Sequence, residues 1–117
     1  MVPSNDDLVW KALSSPVRRR ILDALRDGHQ TTGDLADRFP DLSRYAVMQH
    51  LGVLVDAELV LVHREGRLRW NSLNVIPIQR IHERWIQPYQ ALWAGSLLEL
   101  KRQAETSGRG FTKEKKR

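Results

Sequence analysis

The chain contains no cysteine. Disulfides, thiolate metal sites and thiol-based redox sensing are therefore excluded. It also lacks any apolar run approaching the roughly 20 residues that a membrane-spanning helix needs, and its first ten residues, MVPSNDDLVW, are acidic rather than basic-then-apolar. We expect neither a secretory leader nor a spanning segment, and a cytoplasmic protein. Glycine is sparse and never clustered into a phosphate-cradling loop, and no nucleophile elbow is present. The segment HERWI at 82–86 begins like a zinc-protease helix, but Ile86 stands where the second histidine would be. With one ligand instead of two it cannot hold the metal, so no enzyme activity is expected.

What is present fits one small core. With 117 residues, 41% of them hydrophobic and four of them tryptophan, a single domain is the expectation. The net charge of +5 is unevenly placed: residues 109–117, RGFTKEKKR, hold five basic and one acidic residue, against 14 and 13 in the other 108. A polyanion partner must therefore be argued from local clusters and not from the total. We read 1–107 as the folded domain and 108–117 as a disordered basic tail, either a solvated end or an aid to nucleic-acid affinity.

Apolar periodicity gives the order of elements. Asn5 or Asp6 can cap a first helix with Leu8, Val9, Ala12 and Leu13 on one side and Trp10 off that stripe. Ser15 followed by Pro16 starts a second helix, which Gly28 stops. Thr31 or Thr32 opens a short third helix burying Leu35, Ala36 and Phe39, and Pro40 and Asp41 turn the chain. Ser43 caps a longer helix whose Val47, Leu51, Leu54 and Val55 repeat at helical spacing to about Ala57. A short helix, a tight turn and a longer helix in succession make a helix-turn-helix.

Two short strand-like segments, LVLVHR and RLRWNSL, follow, joined by Glu65 and Gly66 as a two-residue turn. That turn pairs Arg64 with Arg67 and Val62 with Arg69. It places Leu59, Leu61, Leu68 and Trp70 with His63 on a core face, and Arg64, Arg67, Arg69 and Asn71 on a cationic one. A long helical pattern from Pro77 to Ala104 ends the domain, and Pro88 must bend or split it. The fold class is mainly α with a small β-hairpin, a winged helix-turn-helix.

If Val47, Leu51 and Leu54 face inward, Arg44, Tyr45, Met48 and Gln49 face outward at the end that enters a major groove. Arg can pair bidentately with guanine and Gln with adenine, while Tyr and Met can pack on a thymine methyl or a sugar. These four are the candidate base contacts; a buried or inert role is the alternative. Ser43, Arg64, Arg67 and Arg69 are the candidate backbone contacts, the alternative for the wing being a solvated edge protected by charge. His50, next to the core stripe, reads as a packed or hydrogen-bonded histidine. Of Arg18, Arg19 and Arg20, one could touch a phosphate and the others pair with acids such as Asp23. Trp10, Trp85, Tyr89, Trp93, Leu97 and Leu100 offer more apolar surface than so small a domain covers alone, a self-complementary dimer face.

From about Asp6 to Gln103 the chain resembles the ArsR/SmtB family of bacterial dimeric repressors. The residues that carry the resemblance are ALSSPVRRRILDAL at 12–25, TGDLA at 32–36, SRYAVMQHLGVL at 43–54 and REGRLRWNSLN at 64–74. It is closer to a cysteine-free subgroup often found beside genes for SRPBCC-type proteins. The resemblance implies a homodimer through the first and last helices, repressing by occupancy of an inverted-repeat operator in double-stranded DNA until an effector, here unknown, relieves it. Metal-sensing members carry two cysteines where this chain has Thr31 and Gly33. Another metal site of the family would fall on Arg80, His82, Trp93 and Ser96, which do not match it, so no metal and no cofactor is expected. The usual glycine ending the reading helix is Glu58, which puts the local cap in doubt. A winged-helix module for protein or RNA partners is the competing reading, for which an apolar or acidic wing would speak. Repression and activation are not distinguished by sequence.

Overall fold

A computed structural model describes residues 4–107, and within it the side chains of Ala91 and Trp93 are outside the description. The contacts divide the chain into two units, one running through Arg80 and the other starting at Ile81. The first holds α1 (Asn5–Leu13), α2 (Pro16–Leu25), β1 (Gln30–Thr31), α3 (Thr32–Arg38), α4 (Arg44–Asp56), β2 (Val60–Glu65) and β3 (Leu68–Leu73).

Each of the four helices begins on a side-chain hydroxyl. Ser15, Thr31 and Ser43 accept the backbone N–H of Arg18, Asp34 and Ala46 at 3.3, 3.0 and 3.0 Å. Such caps satisfy one of the amides a helix start leaves unpaired, each stabilising by about 1 kcal/mol. The cap of α1 is Ser4, not Asn5 or Asp6: its hydroxyl accepts from Asp7 N–H at 3.2 Å and Asp7 accepts from Ser4 N–H at 3.4 Å. The reciprocal pair is possible only from Ser4, three residues before an acid.

The core of this unit is built from Val9 and Ala12 of α1, Ile21 of α2, Leu35 of α3, and Val47, Leu51 and Leu54 of α4, all fully buried. The stripe expected on α4 is thus the one that packs. Helix α4 ends with Glu58 at φ 62°, where Leu59 N–H reaches Leu54 O and Glu58 N–H reaches Val55 O, both at 2.9 Å. Those two bonds are a Schellman cap, and the buried Leu54 and Leu59 supply its apolar contact. Glu58 therefore takes the conformation that glycine would take.

The sheet is three-stranded in the order β1-β3-β2, all antiparallel. β1 is too short to show a periodicity and was not foreseen. In the hairpin, Glu65 faces Leu68 and Arg64 faces Arg69, so the two-residue loop is Gly66-Arg67 and not Glu65-Gly66. Gly66 has φ 63° while Arg67 has no positive φ, which places glycine first in the turn, as type II′ requires. Cross-strand partners consequently move by two residues. Leu59, just before β2, is buried as expected and Arg67 leaves its face for the turn; for the other paired residues the faces hold but the inward one is reversed.

Val60, Val62, Asn71 and Leu73 face the core, with Arg64 and Arg69 on the same side nearer the tip, while Leu61 and Leu68 are 53% and 50% exposed. Asn71 makes the reversal possible. It is fully buried, and its Nδ2 donates to Gln30 O at 3.2 Å and to Thr32 Oγ1 at 3.1 Å. The Nδ2 bonds offset part of the cost of burying this amide, while among the described residues its buried Oδ1 has no partner. Trp70, on the opposite face, is half covered by the His29 ring, 4.4 Å between centroids.

α5 (Ile76–Ile81) spans the division between the units. In the second unit, a π-turn (His82–Ile86) runs directly into α6 (Gln87–Ser107). The wide turn, with Gln87 N–H bonded to His82 O, sits immediately before Pro88. A proline lacks the donor and crowds the carbonyl four residues back, and a π-turn absorbs both without splitting the helix. The basic tail lies outside the described residues.

Candidate nucleic-acid interface

Helices α3 and α4 are joined by Phe39–Ser43, with Leu42 N–H closing on Phe39 O at 2.9 Å. Because the core stripe of α4 is fixed by Val47, Leu51 and Leu54, the opposite side presents Arg44, Tyr45, Met48 and Gln49, all exposed, Tyr45 to 72%. The four candidate base contacts thus share one open surface at the start of α4. The Arg44 guanidinium lies over the first turn of α3, where a Cβ on Gly33 would meet its Nη2 at 3.7 Å. Ser43 uses its oxygen to accept the Ala46 N–H, which leaves the hydroxyl proton available to a phosphate.

The wing differs from expectation. Arg64 and Arg69 stand directly opposite one another and Arg67 sits in the turn, so the three arginines lie near the tip and not along a separate cationic face. Like charges in such register repel. Arg69 is half-buried, and among the described residues its Nε has no hydrogen-bond partner. An anion at the tip would relieve the repulsion. The outer face of the hairpin, with Leu61 and Leu68 exposed, is partly apolar, so wing polarity does not discriminate between DNA and protein partners as the sequence suggested.

Of the arginines of α2, Arg20 pairs with an acid as expected, though with Asp41 and not Asp23, while Arg18 and Arg19 turn to backbone carbonyls. Arg18 donates to Ala12 O at 2.8 Å, Lys11 O at 2.9 Å and His50 Nδ1 at 3.2 Å. Arg19 donates to Leu13 O at 2.6 Å, and Arg20 lies 4.9 Å from the Phe39 ring centre and 4.0 Å from Asp41. Asp23 instead lies 3.9 Å from Arg26. Arg18 and Arg19 bond the carbonyls left over at the end of α1, where a cation also meets the negative end of the helix dipole. The signal was present in the spacing: Ser14 to Pro16 turns the chain so sharply that the second helix's first turn abuts the first helix's last. His50 is half-buried and hydrogen-bonded, as expected. Burial, and secondarily the Arg18 charge, hold its pKa below the ordinary 6.5.

The helix-turn-helix domain family matches residues 13–63. The chain is 42% identical over 71 residues to the transcriptional repressor SdpR of Bacillus subtilis, covering 61% of this chain and 78% of that protein. It is 38% identical over 89 residues to the uncharacterized HTH-type transcriptional regulator YuzN of the same organism, covering 71% and 97%. The crystal structure of an ArsR family transcriptional regulator superposes with a TM-score of 0.67 at 30% identity, covering 80% of this chain and 95% of that one. The chain belongs to the ArsR/SmtB family.

As a member of that family it is a DNA-binding transcriptional regulator with a winged helix-turn-helix fold, and the family points away from an enzyme. Where metal-sensing ArsR/SmtB proteins place cysteines, Thr31 serves as the cap of α3 and Gly33 lies in its first turn. The glycine that usually ends the reading helix is replaced by Glu58 in the same backbone conformation, so the cap survives. Among the described residues no helix is long and apolar enough to cross a membrane. Of the residues assigned to a dimer face, Trp10 is 50% exposed on α1. Trp85, Tyr89, Leu97 and Leu100 are exposed in the second unit, and the Trp93 side chain lies outside the description. Trp85, Tyr89 and Leu97 line a groove of about 530 Å³ along α6.

Proposed function

We propose that this protein is a homodimeric repressor that occupies an inverted-repeat operator. Arg44, Tyr45, Met48 and Gln49 contact base edges in the major groove, while Ser43, Arg64, Arg67 and Arg69 hold phosphates. The observation that carries this reading is the exposed side of α4, which offers Arg, Tyr, Met and Gln in place of the Glu and Lys of a merely solvated helix. The like charges of Arg64 and Arg69, paired across the hairpin, support an anion at the wing tip. Dimerisation through Trp10, Trp85, Tyr89, Trp93, Leu97 and Leu100 would set two reading helices about one helical turn, roughly 34 Å, apart. The relatives named as repressors favour repression over activation.

The test is binding to the DNA upstream of the protein's own gene across a salt series. Tight dimeric binding to a short inverted repeat is expected, with log affinity falling steeply as salt rises. Equal affinity for random duplex would refute the operator reading. Replacing Arg44 or Gln49 should relax base choice at one position, costing roughly 1–3 kcal/mol on the preferred base pair. A second reading, a protein- or RNA-binding winged helix, draws its support from exposed Leu61 and Leu68, and would show as equal affinity of that kind.

A further inference from the structure

Gly52 occupies the middle of α4, a position where glycine costs about 1 kcal/mol of stability relative to alanine. Internal packing gives no reason for it, since no atom lies within 4 Å of where its Cβ would sit. Its backbone is helical, without the positive φ that would call for glycine. On the helical wheel it falls opposite Val47, Leu51 and Leu54, one turn beyond Met48 and Gln49 and two beyond Tyr45, in line with them. A residue that destabilises its helix, serves no contact within the chain and sits on the outward strip leaves one physical use: the absence of a side chain lets something outside come close to the backbone of α4.

We infer that Gly52 is a positioning residue that sets how deeply α4 enters the major groove. Its bare surface lets the wall of the groove close onto the third turn of α4, so that Met48 and Gln49, a turn earlier, reach base edges. The inference rests on α4 being the reading helix. A methyl group here projects into the contact, and a larger side chain holds the whole helix away. Bases and phosphates would then be lost together, because the helix is displaced as a body, unlike the loss of one pairing partner.

The experiment compares the full-length protein with Gly52→Ala and Gly52→Leu, measuring thermal stability and affinity for the upstream inverted repeat and for random duplex. Gly52→Ala should melt higher than the parent yet bind the repeat about tenfold more weakly, with Gly52→Leu roughly a hundredfold weaker. A residue with only a structural role would not move stability and affinity in opposite directions. Parental affinity in Gly52→Ala together with a higher melting point overturns the inference while leaving the reading helix in place. No preference of the parent protein for the repeat over random duplex removes the reading helix and this inference together.

Discussion

Replacing Glu58 by glycine should stabilise the protein without touching a side-chain contact. Glu58 is exposed, and its φ of 62° lies in the left-handed region. For an L-residue that conformation costs about 1–2 kcal/mol. Glycine removes the cost but gives the unfolded chain more freedom, which offsets about 0.4–1 kcal/mol. The net gain is about 0.5–1 kcal/mol. The bonds of the cap survive, because Leu59 N–H to Leu54 O is a backbone bond and Asn74 Nδ2 donates at 2.8 Å to the Glu58 carbonyl. In a domain of this size the gain corresponds to a rise of about 4 °C in Tm. Glu58→Ala is the necessary control, since it removes the same charge and keeps the strained backbone. Urea titrations at fixed protein concentration should show a higher midpoint for Glu58→Gly than for Glu58→Ala, with the slope unchanged. If the two variants unfold together, the left-handed conformation is not the source of strain and the account of the α4 cap is wrong.

Asn71→Ala leaves the Gln30 carbonyl and the Thr32 hydroxyl buried with one partner fewer, and should cost about 1–3 kcal/mol in chemical denaturation; an unchanged midpoint would show that the amide is dispensable to the sheet. The His50 imidazole is neutral in the folded state and its pKa is depressed, so as pH falls below about 6.5 the unfolded chain takes up the proton first. Stability should decline from there until the folded imidazole also titrates, and His50→Gln should flatten that part of a pH–stability curve. Arg64→Ala and Arg69→Ala should each weaken binding to all duplexes alike and lower the slope of log affinity against log salt by about 1. A change confined to sequence preference would reassign the wing to base reading.

What could be read in the sequence was whatever a single helix decides for itself. Val47, Leu51 and Leu54 repeat on one side of α4, so the core stripe and the outward Arg44, Tyr45, Met48 and Gln49 followed without knowledge of any neighbour. Ser15 with Pro16, and Thr31, Ser43 and Gly66, mark boundaries through local chemistry. What failed depended on a second element. The hairpin's hydrophobic face, Leu61, Leu68 and Trp70, was assigned inward because apolar residues usually are; the buried alternative needed an asparagine whose partners sit about 40 positions away, on β1 and α3. β1 exists only because β3 offers it an edge. Arg18 and Arg19 found carbonyls instead of acids, and backbone acceptors leave no trace in a charge pattern.

Arg18 also bears on how rigid the regulator is. One guanidinium joins two carbonyls at the end of α1 to the ring of His50 on α4. A large twist of α1 relative to α4 would strain these three bonds. In the proposed dimer, an α1 contact would thereby be linked to the helix proposed to read the bases. Operators with one base pair inserted between the half-sites should then be bound more weakly.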